Sequence, residues 1–232
     1  MDLLAIFTGI RGRLIELGSG LDERRSTLPV PGCPSWNVTE VYAHLVGGNA
    51  DALAGRLDGM TQDWWTQRQV DERAGVPLPR LLDEWRALSP DFDTMLASLD
   101  RIPVELVLDA WTHEQDIRGA LGIAGGPEPE VTARLAGMAS HTLLTNAGRR
   151  ELPPVRLTLG ERTRTSGDGV VVSLTVDPHE YLRGAFGRRS RAQLRAWPWQ
   201  GTGDPDPYID ALLIFGIASD DIWDADRPSP VA

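Results

Sequence analysis

The chain has 232 residues and a formal net charge of -10 at pH 7, and 41% of its residues are hydrophobic. That length can form one large domain or two smaller ones, each with its own core. The acidic balance argues against nucleic acid as a partner, because binding to phosphate backbones requires a basic surface. The sequence has no run of about 18 apolar residues and no secretory signal at its start, so we expect a cytoplasmic protein that does not associate with membranes.

Two residue types are almost missing. All 23 basic residues are arginine and none is lysine, which excludes Schiff-base chemistry, pyridoxal phosphate enzymes and the phosphate-binding loops that need lysine. Cys33 is the only cysteine, which excludes intramolecular disulfides and zinc sites rich in thiolates. We expect Cys33 to be a small loop residue and predict no catalytic nucleophile; thiol chemistry would need either Cys33 or a thiol from outside.

The first two thirds of the chain show the apolar spacing of amphipathic helices. The first helix is predicted over residues 2–18, with glycines at its end. A proline-rich approach, LPVPGCPSW, leads to a second helix that ends near Leu57. Asn37 and Glu40 fit a capping box at the start of this second helix, because each side chain can bond to the backbone amide of the other residue.

Three more helices are predicted in the same part of the chain. One covers about residues 80–99 and is interrupted or kinked at the Ser-Pro pair near its middle. The next begins at Pro103, a residue preferred in the first turn, and ends at Gly122. The last covers about residues 130–148.

The pattern changes after a linker at residues 149–154. Segments 155–160 and 170–176 alternate or are rich in β-branched residues, and the SGDG sequence between them predicts a hairpin. A short helix capped by Asp177, a strand in RAQLRAWPW and a helix over about residues 206–217 follow.

These elements predict an α+β fold class with two domains. A helical bundle covers residues 1–148, and a small α/β domain covers residues 155–232. There is no internal repeat in the sequence.

A polar stripe interrupts one of the predicted helices. Asp109, His113 and Asp116 follow each other at intervals of four and three residues, so they project from one helix face. Apolar residues border the stripe, which suggests that it faces the bundle interior, where charges are costly unless they are paired or bind a metal. A carboxylate and a histidine four residues apart can hold one cation, but the pattern also fits an ordinary helix contact or a solvated face.

A third ligand would have to come from another helix. His44 lies in the middle of the second predicted helix among apolar residues and is the best candidate. His141 and His179 are expected to be structural or exposed.

Two segments, PGCPSWNVTEVYAHLVGG and VLDAWTHEQDIRGALG, are similar to the mycothiol-dependent maleylpyruvate isomerase family, within the DinB-like superfamily of helical bundles. The similarity consists of a tryptophan before a helix that carries a histidine, and a later helix with an acid, a histidine and an aspartate at the spacing described above. The resemblance implies a DinB-like up-and-down bundle that binds a divalent metal, followed by a smaller C-terminal α/β domain.

Carried over position by position, the resemblance implies a particular ligand set. His44 and His113 match the two metal-binding histidines of the family. Asp109 stands where the isomerase has a glutamate ligand, and Asp116 matches an acid that can orient a ligand or hold the fold. Zinc is the expected ion, with nickel and iron as alternatives, because mixed nitrogen and oxygen ligands accept all three.

The implied activity uses mycothiol as a co-substrate. The metal would favour the thiolate form of this low-molecular-weight thiol, which then attacks an electrophilic small molecule and either isomerises it or forms a conjugate. Arg188 and Arg189 could bind a substrate carboxylate as a fork, although such a cluster can also be a solvated basic face. Metal-assisted hydrolysis and a non-catalytic ligand-binding or partner-binding role with an altered metal site are the alternatives. The chain is expected to be a monomer or a homodimer.

Overall fold

The computed structural model describes residues 2–225 of the chain. They form two compact units, residues 2–126 with 224–225, and Pro127–Trp223. The first unit is mainly helical and the second contains a four-stranded sheet, so the predicted order of a helical region followed by a small sheet-containing region is confirmed. Within the described residues no helix has the length and apolar character needed to cross a membrane.

The described part of the first unit contains six helices and a two-stranded antiparallel sheet. The helices are α1 (Leu3–Ser19), α2 (Glu23–Ser26), α3 (Val38–Leu53), α4 (Asp63–Asp71), α5 (Leu78–Ala97) and α6 (Val104–Leu121), and the strands are β1 (Pro29–Val30) and β2 (Cys33–Asn37).

The predicted capping box at the start of α3 is confirmed. The Asn37 side-chain oxygen accepts from the Glu40 backbone amide at 3.1 Å, and the Glu40 carboxylate accepts from the Asn37 amide at 2.7 Å. Two amides that would otherwise lack a helical partner are therefore satisfied, which sets the first turn of the helix that carries His44.

Aromatic side chains in the core hold α3 in register with its neighbours. Tyr42 of α3 packs edge-on against the buried ring of Trp85 on α5, with ring centroids 6.3 Å apart. The Tyr42 hydroxyl donates to the backbone oxygen of Leu14 on α1 at 2.7 Å, which satisfies its polar atom inside the core. Because one residue contacts both neighbouring helices, the position of His44 two residues later is tightly constrained.

The structure differs from the sequence prediction in three places in this unit. The LPVPGCPSW segment includes the short β1–β2 pair instead of an irregular approach. Helix α4 was not predicted, because most of its residues are polar and its few apolar residues do not form a clear helical stripe. Of these apolar residues, Trp65 and Val70 are buried. Helix α5 continues through Pro90, so the helix is not interrupted there, and a kink at this point stays a prediction. The Ser89 hydroxyl donates to the backbone oxygen of Trp85 at 2.7 Å.

The second unit packs helices around a mixed sheet of strand order β4-β3-β5-β6. Its elements are α7 (Pro129–Arg149), β3 (Val155–Leu159), β4 (Arg162–Thr165), β5 (Val172–Val176), α8 (Pro178–Ala185), α9 (Arg191–Arg195), β6 (Trp199–Gln200) and α10 (Asp206–Leu212).

The predicted hairpin between segments 155–160 and 170–176 is wrong. Strands β3 and β5 are parallel, and the antiparallel partner of β3 is β4, which the sequence analysis did not identify. The SGDG sequence instead lies in the loop between β4 and β5. After this loop, the amides of Val171 and Val172 donate to the Pro154 carbonyl, just before β3. Four exposed residues, RTRT, make up β4, so it lacks the apolar alternation by which a strand is recognised.

The strand predicted in RAQLRAWPW is mostly a helix. Ser190 and Gln193 form a capping box that starts α9, and only Trp199 at the end of the segment enters a strand, β6. The predicted cap of α8 is confirmed, since the Asp177 carboxylate accepts from the amides of His179 and Glu180.

Helix α7 groups with the sheet of the second unit. It packs against α8, α10 and β3, and the division between the units falls at Gly126, whereas the sequence analysis placed the end of the bundle at residue 148. The period of a helix shows which face is apolar but not which element covers it, so the sequence did not distinguish the two placements. The predicted end of the second domain, residue 232, lies outside the described residues.

Gly201 offers a test of this sheet. It has φ +76°, and a Cβ at this position would stand 1.8 Å from the backbone oxygen of Val171. We expect Gly201→Ala to lower the free energy of unfolding by at least about 2 kcal/mol, because the strained backbone and the contact both have to be relieved. Urea unfolding checks this, with Gly203→Ala as the matched control, because a Cβ there would meet no atom within 4 Å. Equal effects of the two substitutions would contradict the strain described for Gly201.

Candidate metal centre

The structure brings together the three residues that the sequence analysis proposed as ligands. His44 on α3 and Asp109 and His113 on α6 each offer a ligand atom, and all three atoms lie within 4.8 Å of one another. His44 Nε2 is 3.5 Å from one Asp109 oxygen, and His113 Nε2 is 3.5 Å from the other. The imidazole rings meet edge to face with centroids 5.0 Å apart. Both Nε2 atoms therefore face one carboxylate.

A glutamine that the sequence analysis did not identify determines which nitrogen of His44 is available. His44 Nδ1 donates to Gln69 Oε1 at 2.8 Å, and the Gln69 amide nitrogen donates to Asp51 at 2.9 Å. Since the amide group of Gln69 is committed to Asp51, its oxygen faces the imidazole, and the proton of a neutral His44 lies on Nδ1. The Nε2 lone pair is then directed to the side of Asp109, as in metal sites where a second residue orients each histidine.

Asp51 keeps that glutamine in place. Its side chain is fully buried and accepts hydrogen bonds from the guanidinium groups of Arg56 at 2.7 Å and Arg68 at 2.8 Å. Burial raises the pKa of Asp51, but the hydrogen bonds from Gln69, Arg68 and Arg56 outweigh burial and lower the pKa overall. The carboxylate is therefore a fixed anion that Gln69 links to His44 of the candidate metal centre. A sequence signal for it existed, because Asp51 is seven residues after His44 and shares its helix face.

The second histidine is oriented by an acid on its own helix. His113 Nδ1 lies 3.2 Å from Asp116, whose side chain is buried, and His113 Nε2 faces Asp109. Burial would lower the pKa of His113, but the negative charge of Asp109 and the contacts with Cys33 and Asp116 hold that pKa well above its usual value. Partial burial likewise raises the pKa of Asp109, and the charge of His113 together with hydrogen bonds from both histidines lowers it far more. The Asp109 carboxylate is therefore held as an anion beside His113.

Strand β2 contributes two side chains to the surroundings. The Trp36 ring packs over His44 with centroids 5.2 Å apart, and its indole nitrogen donates to Gln67 at 3.0 Å. Cys33 Sγ lies 3.5 Å from Asp116 Oδ2 and 3.7 Å from His113 Nδ1. Cys33 lies in strand β2 and not in a loop as expected, and because β2 leads directly into α3, the thiol lies next to α6.

The two arginines proposed to bind substrate lie in the second unit and already have partners. Arg189 is buried, and its guanidinium donates to the Glu180 carboxylate at 2.9 Å. Arg188 donates to the backbone oxygen of Phe186 at 2.6 Å. Their role in substrate binding stays a prediction, and the Glu180 pair gives Arg189 a structural function within its own unit.

The residues at the centre fit a divalent metal ion. Two imidazole nitrogens and one carboxylate are a donor set that zinc, nickel and iron accept, and both histidines have their other nitrogen held by a neighbouring group. The Asp109 side chain is 40% exposed, whereas the imidazoles are buried. Three ligands with an open side are typical of catalytic metal sites rather than structural ones.

Comparison with protein families finds a match for the region that contains the candidate centre. Residues 7–118 match the mycothiol maleylpyruvate isomerase N-terminal domain. The suspected family resemblance is confirmed. The matched residues include His44, Asp109 and His113, so the whole candidate centre lies inside the segment that resembles the isomerase domain.

A solved structure supports the same fold over a larger part of the chain. It is the crystal structure of a histidine-to-alanine variant of the mycothiol-dependent maleylpyruvate isomerase, with a TM-score of 0.56 and 12% sequence identity. The match covers 80% of this chain and 88% of that one. A comparison with curated proteins found no match. At this identity the structural similarity establishes the fold and leaves the activity to be argued from the site.

The ligand assignment predicts the metal content of the purified protein. We expect about one divalent ion per chain, and we expect His44→Ala and Asp109→Ala to lose it, because two remaining ligands hold zinc weakly. Plasma mass spectrometry after dialysis against zinc or nickel measures this. His141→Ala is the matched control, since His141 is exposed and contacts Thr145. Folded wild-type protein without metal after this treatment would refute the assignment.

The role of Gln69 predicts a separate result. Replacing it with leucine removes the acceptor that holds the His44 Nδ1 proton, so we expect about 10- to 100-fold weaker metal binding with the ligands intact. Titration against a chromophoric chelator measures the affinity, and circular dichroism verifies the fold. Gln62→Leu, an exposed position just before α4, is the control. Unchanged affinity in Gln69→Leu would show that this hydrogen bond does not orient the ligand.

Proposed function

We propose that the chain is a metal-dependent enzyme that uses an exogenous low-molecular-weight thiol of the mycothiol type on an electrophilic small molecule. The observation that carries this proposal is the meeting of His44, Asp109 and His113 around one point, with the outer nitrogen of each histidine held by Gln69 or Asp116. The match of residues 7–118 to the isomerase domain supports a mycothiol-dependent, isomerase-like function. Use of the metal and the choice of reaction are the parts that we add.

A divalent ion at this centre, when bound, would lower the pKa of a coordinated thiol and supply the thiolate at neutral pH. The protein residues do the rest. The two histidines and Asp109 would hold the ion, and the exposed side of Asp109 would be open to the co-substrate. Trp36 covers His44 and shields that imidazole from water.

Two outcomes are possible once a thiolate attacks. If the sulfur adds to an activated carbon–carbon double bond, that bond becomes a single bond and can rotate. Loss of the same thiolate then restores the double bond in the other geometry. If the attacked carbon carries a leaving group, the sulfur replaces it, and the group departs with the bonding electrons. The first outcome is isomerisation and the second is S-transfer, and the same three ligands serve both.

The short side chain of Asp109 affects which substrate the proposed site can accept. Asp109 has one methylene fewer than the glutamate that the resemblance implies at this position, which alters the room beside the metal without changing the donor atom. We therefore propose the metal and the thiol for this chain and leave the electrophile open between a maleylpyruvate-like compound and a substrate for S-transfer. A cytoplasmic location and a monomeric or homodimeric state stay predictions.

The test combines the zinc- or nickel-loaded protein with mycothiol and either maleylpyruvate or a bromobimane dye. We expect thiol- and metal-dependent turnover, and we expect Asp109→Ala to lower kcat/KM at least about 100-fold, because even residues that only orient ligands often contribute 10- to 100-fold. His141→Ala should retain the wild-type rate.

Two results would overturn the proposal. Cleavage of an ester or amide without thiol would identify a metal-assisted hydrolase. No turnover by fully metal-loaded protein with either electrophile would favour a binding protein that retains the metal site.

A further inference from the structure

A second set of potential ligand atoms meets at the other nitrogen of His113. Cys33 Sγ, His113 Nδ1 and Asp116 Oδ2 all lie within 4.8 Å of one another. We propose that these three atoms form a distinct binding site for a thiophilic metal cation, such as Cd²⁺ or Cu⁺. The site uses the nitrogen of His113 that faces away from Asp109 and the only thiol in the chain.

The distances suit a metal ion. The three atoms form a triangle with sides of 3.2, 3.5 and 3.7 Å. The centre of such a triangle is about 2 Å from each corner, which is close to zinc–nitrogen and zinc–oxygen bond lengths. A position out of the plane and nearer the nitrogen–oxygen edge lengthens the bond to sulfur toward its larger usual value. The three donor atoms are therefore already spaced as ligands of one ion.

The donor types decide which cation is favoured. A thiolate is a soft ligand that prefers the soft ions cadmium and copper(I) over the borderline ions zinc and nickel and over magnesium or manganese, and the first centre has no sulfur donor. Together with the Asp116 carboxylate, the thiolate balances the charge of a divalent ion. Asp116 and His113 are buried, and Cys33 is the most exposed residue of the three.

The two centres compete for one imidazole. A cation on Nε2 leaves the His113 proton on Nδ1, where it is donated to Asp116. A cation on Nδ1 requires the proton to be on Nε2, where Asp109 Oδ1 is 3.5 Å away and can accept it. On binding, the Cys33 thiol proton is released to solvent. A neutral imidazole cannot serve both centres, so a thiophilic cation at Cys33 displaces the metal at Asp109 and stops the reaction proposed above.

Cadmium titration followed by thiolate-to-metal absorption in the near ultraviolet tests this, in buffer free of added thiol. The chain has one cysteine, so the band reports Cys33 alone. We expect it to saturate at about one Cd²⁺ per chain in wild type and in Asp109→Ala, and to be absent in Cys33→Ser, which should keep zinc at the first centre. Asp116→Asn should need at least about tenfold more cadmium. Asp91→Asn, at an exposed position on α5, should titrate as wild type.

The proposal is overturned if cadmium bound to Asp109→Ala gives no thiolate band, or if folded Asp116→Asn titrates as wild type. Nitrogen-15 spectra of the histidines in cadmium-loaded Asp109→Ala provide a test that does not depend on the Asp116 variant: a metal-induced shift at His113 Nδ1 supports the site, and a shift at Nε2 contradicts it. These measurements detect no turnover, so failure of the thiol-transfer reaction leaves them interpretable.

Discussion

The buried carboxylate of Asp51 is the constraint on which the candidate centre depends. A fully buried anion is costly unless hydrogen bonds and opposite charges surround it, and Gln69, Arg68 and Arg56 meet that need. Gln69 and Arg68 lie on α4, so their hydrogen bonds to Asp51 also attach α4 to α3. The bond from the Gln69 amide nitrogen leaves the Gln69 oxygen facing His44. A Cβ at Gly47 would stand 2.6 Å from the Gln69 Cβ, so glycine there permits this close approach of the two helices.

Helix α6 shows a similar compromise between stability and function. Residues 112–116 are all polar and all buried, which no core needs for packing. Glu114 is compensated on one side by Arg13 at 2.8 Å and by Arg118 at 3.2 Å, while His113 and Asp116 compensate each other. Each buried charge is neutralised locally, so the helix can present ligands inward and still pack. Buried polar residues are unusual in a helical core, and here they occur where the chemistry is expected, as is often the case at functional sites.

The two ring nitrogens of His113 have different environments. Nε2 faces Asp109, and Nδ1 faces Asp116. Asp109 is 40% exposed and can share its oxygens with a ligand from solvent, whereas the Asp116 side chain is fully buried. A fully buried acid is suited to orient the imidazole, and an acid that is partly exposed is suited to hold an exchangeable group. The same pair of acids, three and four residues from the histidine, thus serves two purposes through burial alone.

The sequence by itself determined the helical nature of the first region, the capping box of α3, and the common face of Asp109, His113 and Asp116, because these follow from local spacing and local hydrogen bonds. It also carried the family motifs that pointed to His44. Only the tertiary structure decided the rest. Gln69 and Cys33 reach the centre from α4 and β2, and neither has a spacing relation to α6 that a sequence pattern can express. The parallel pairing of β3 with β5 and the placement of α7 on the sheet likewise depend on which apolar surfaces meet, and periodicity identifies an apolar face without naming its partner.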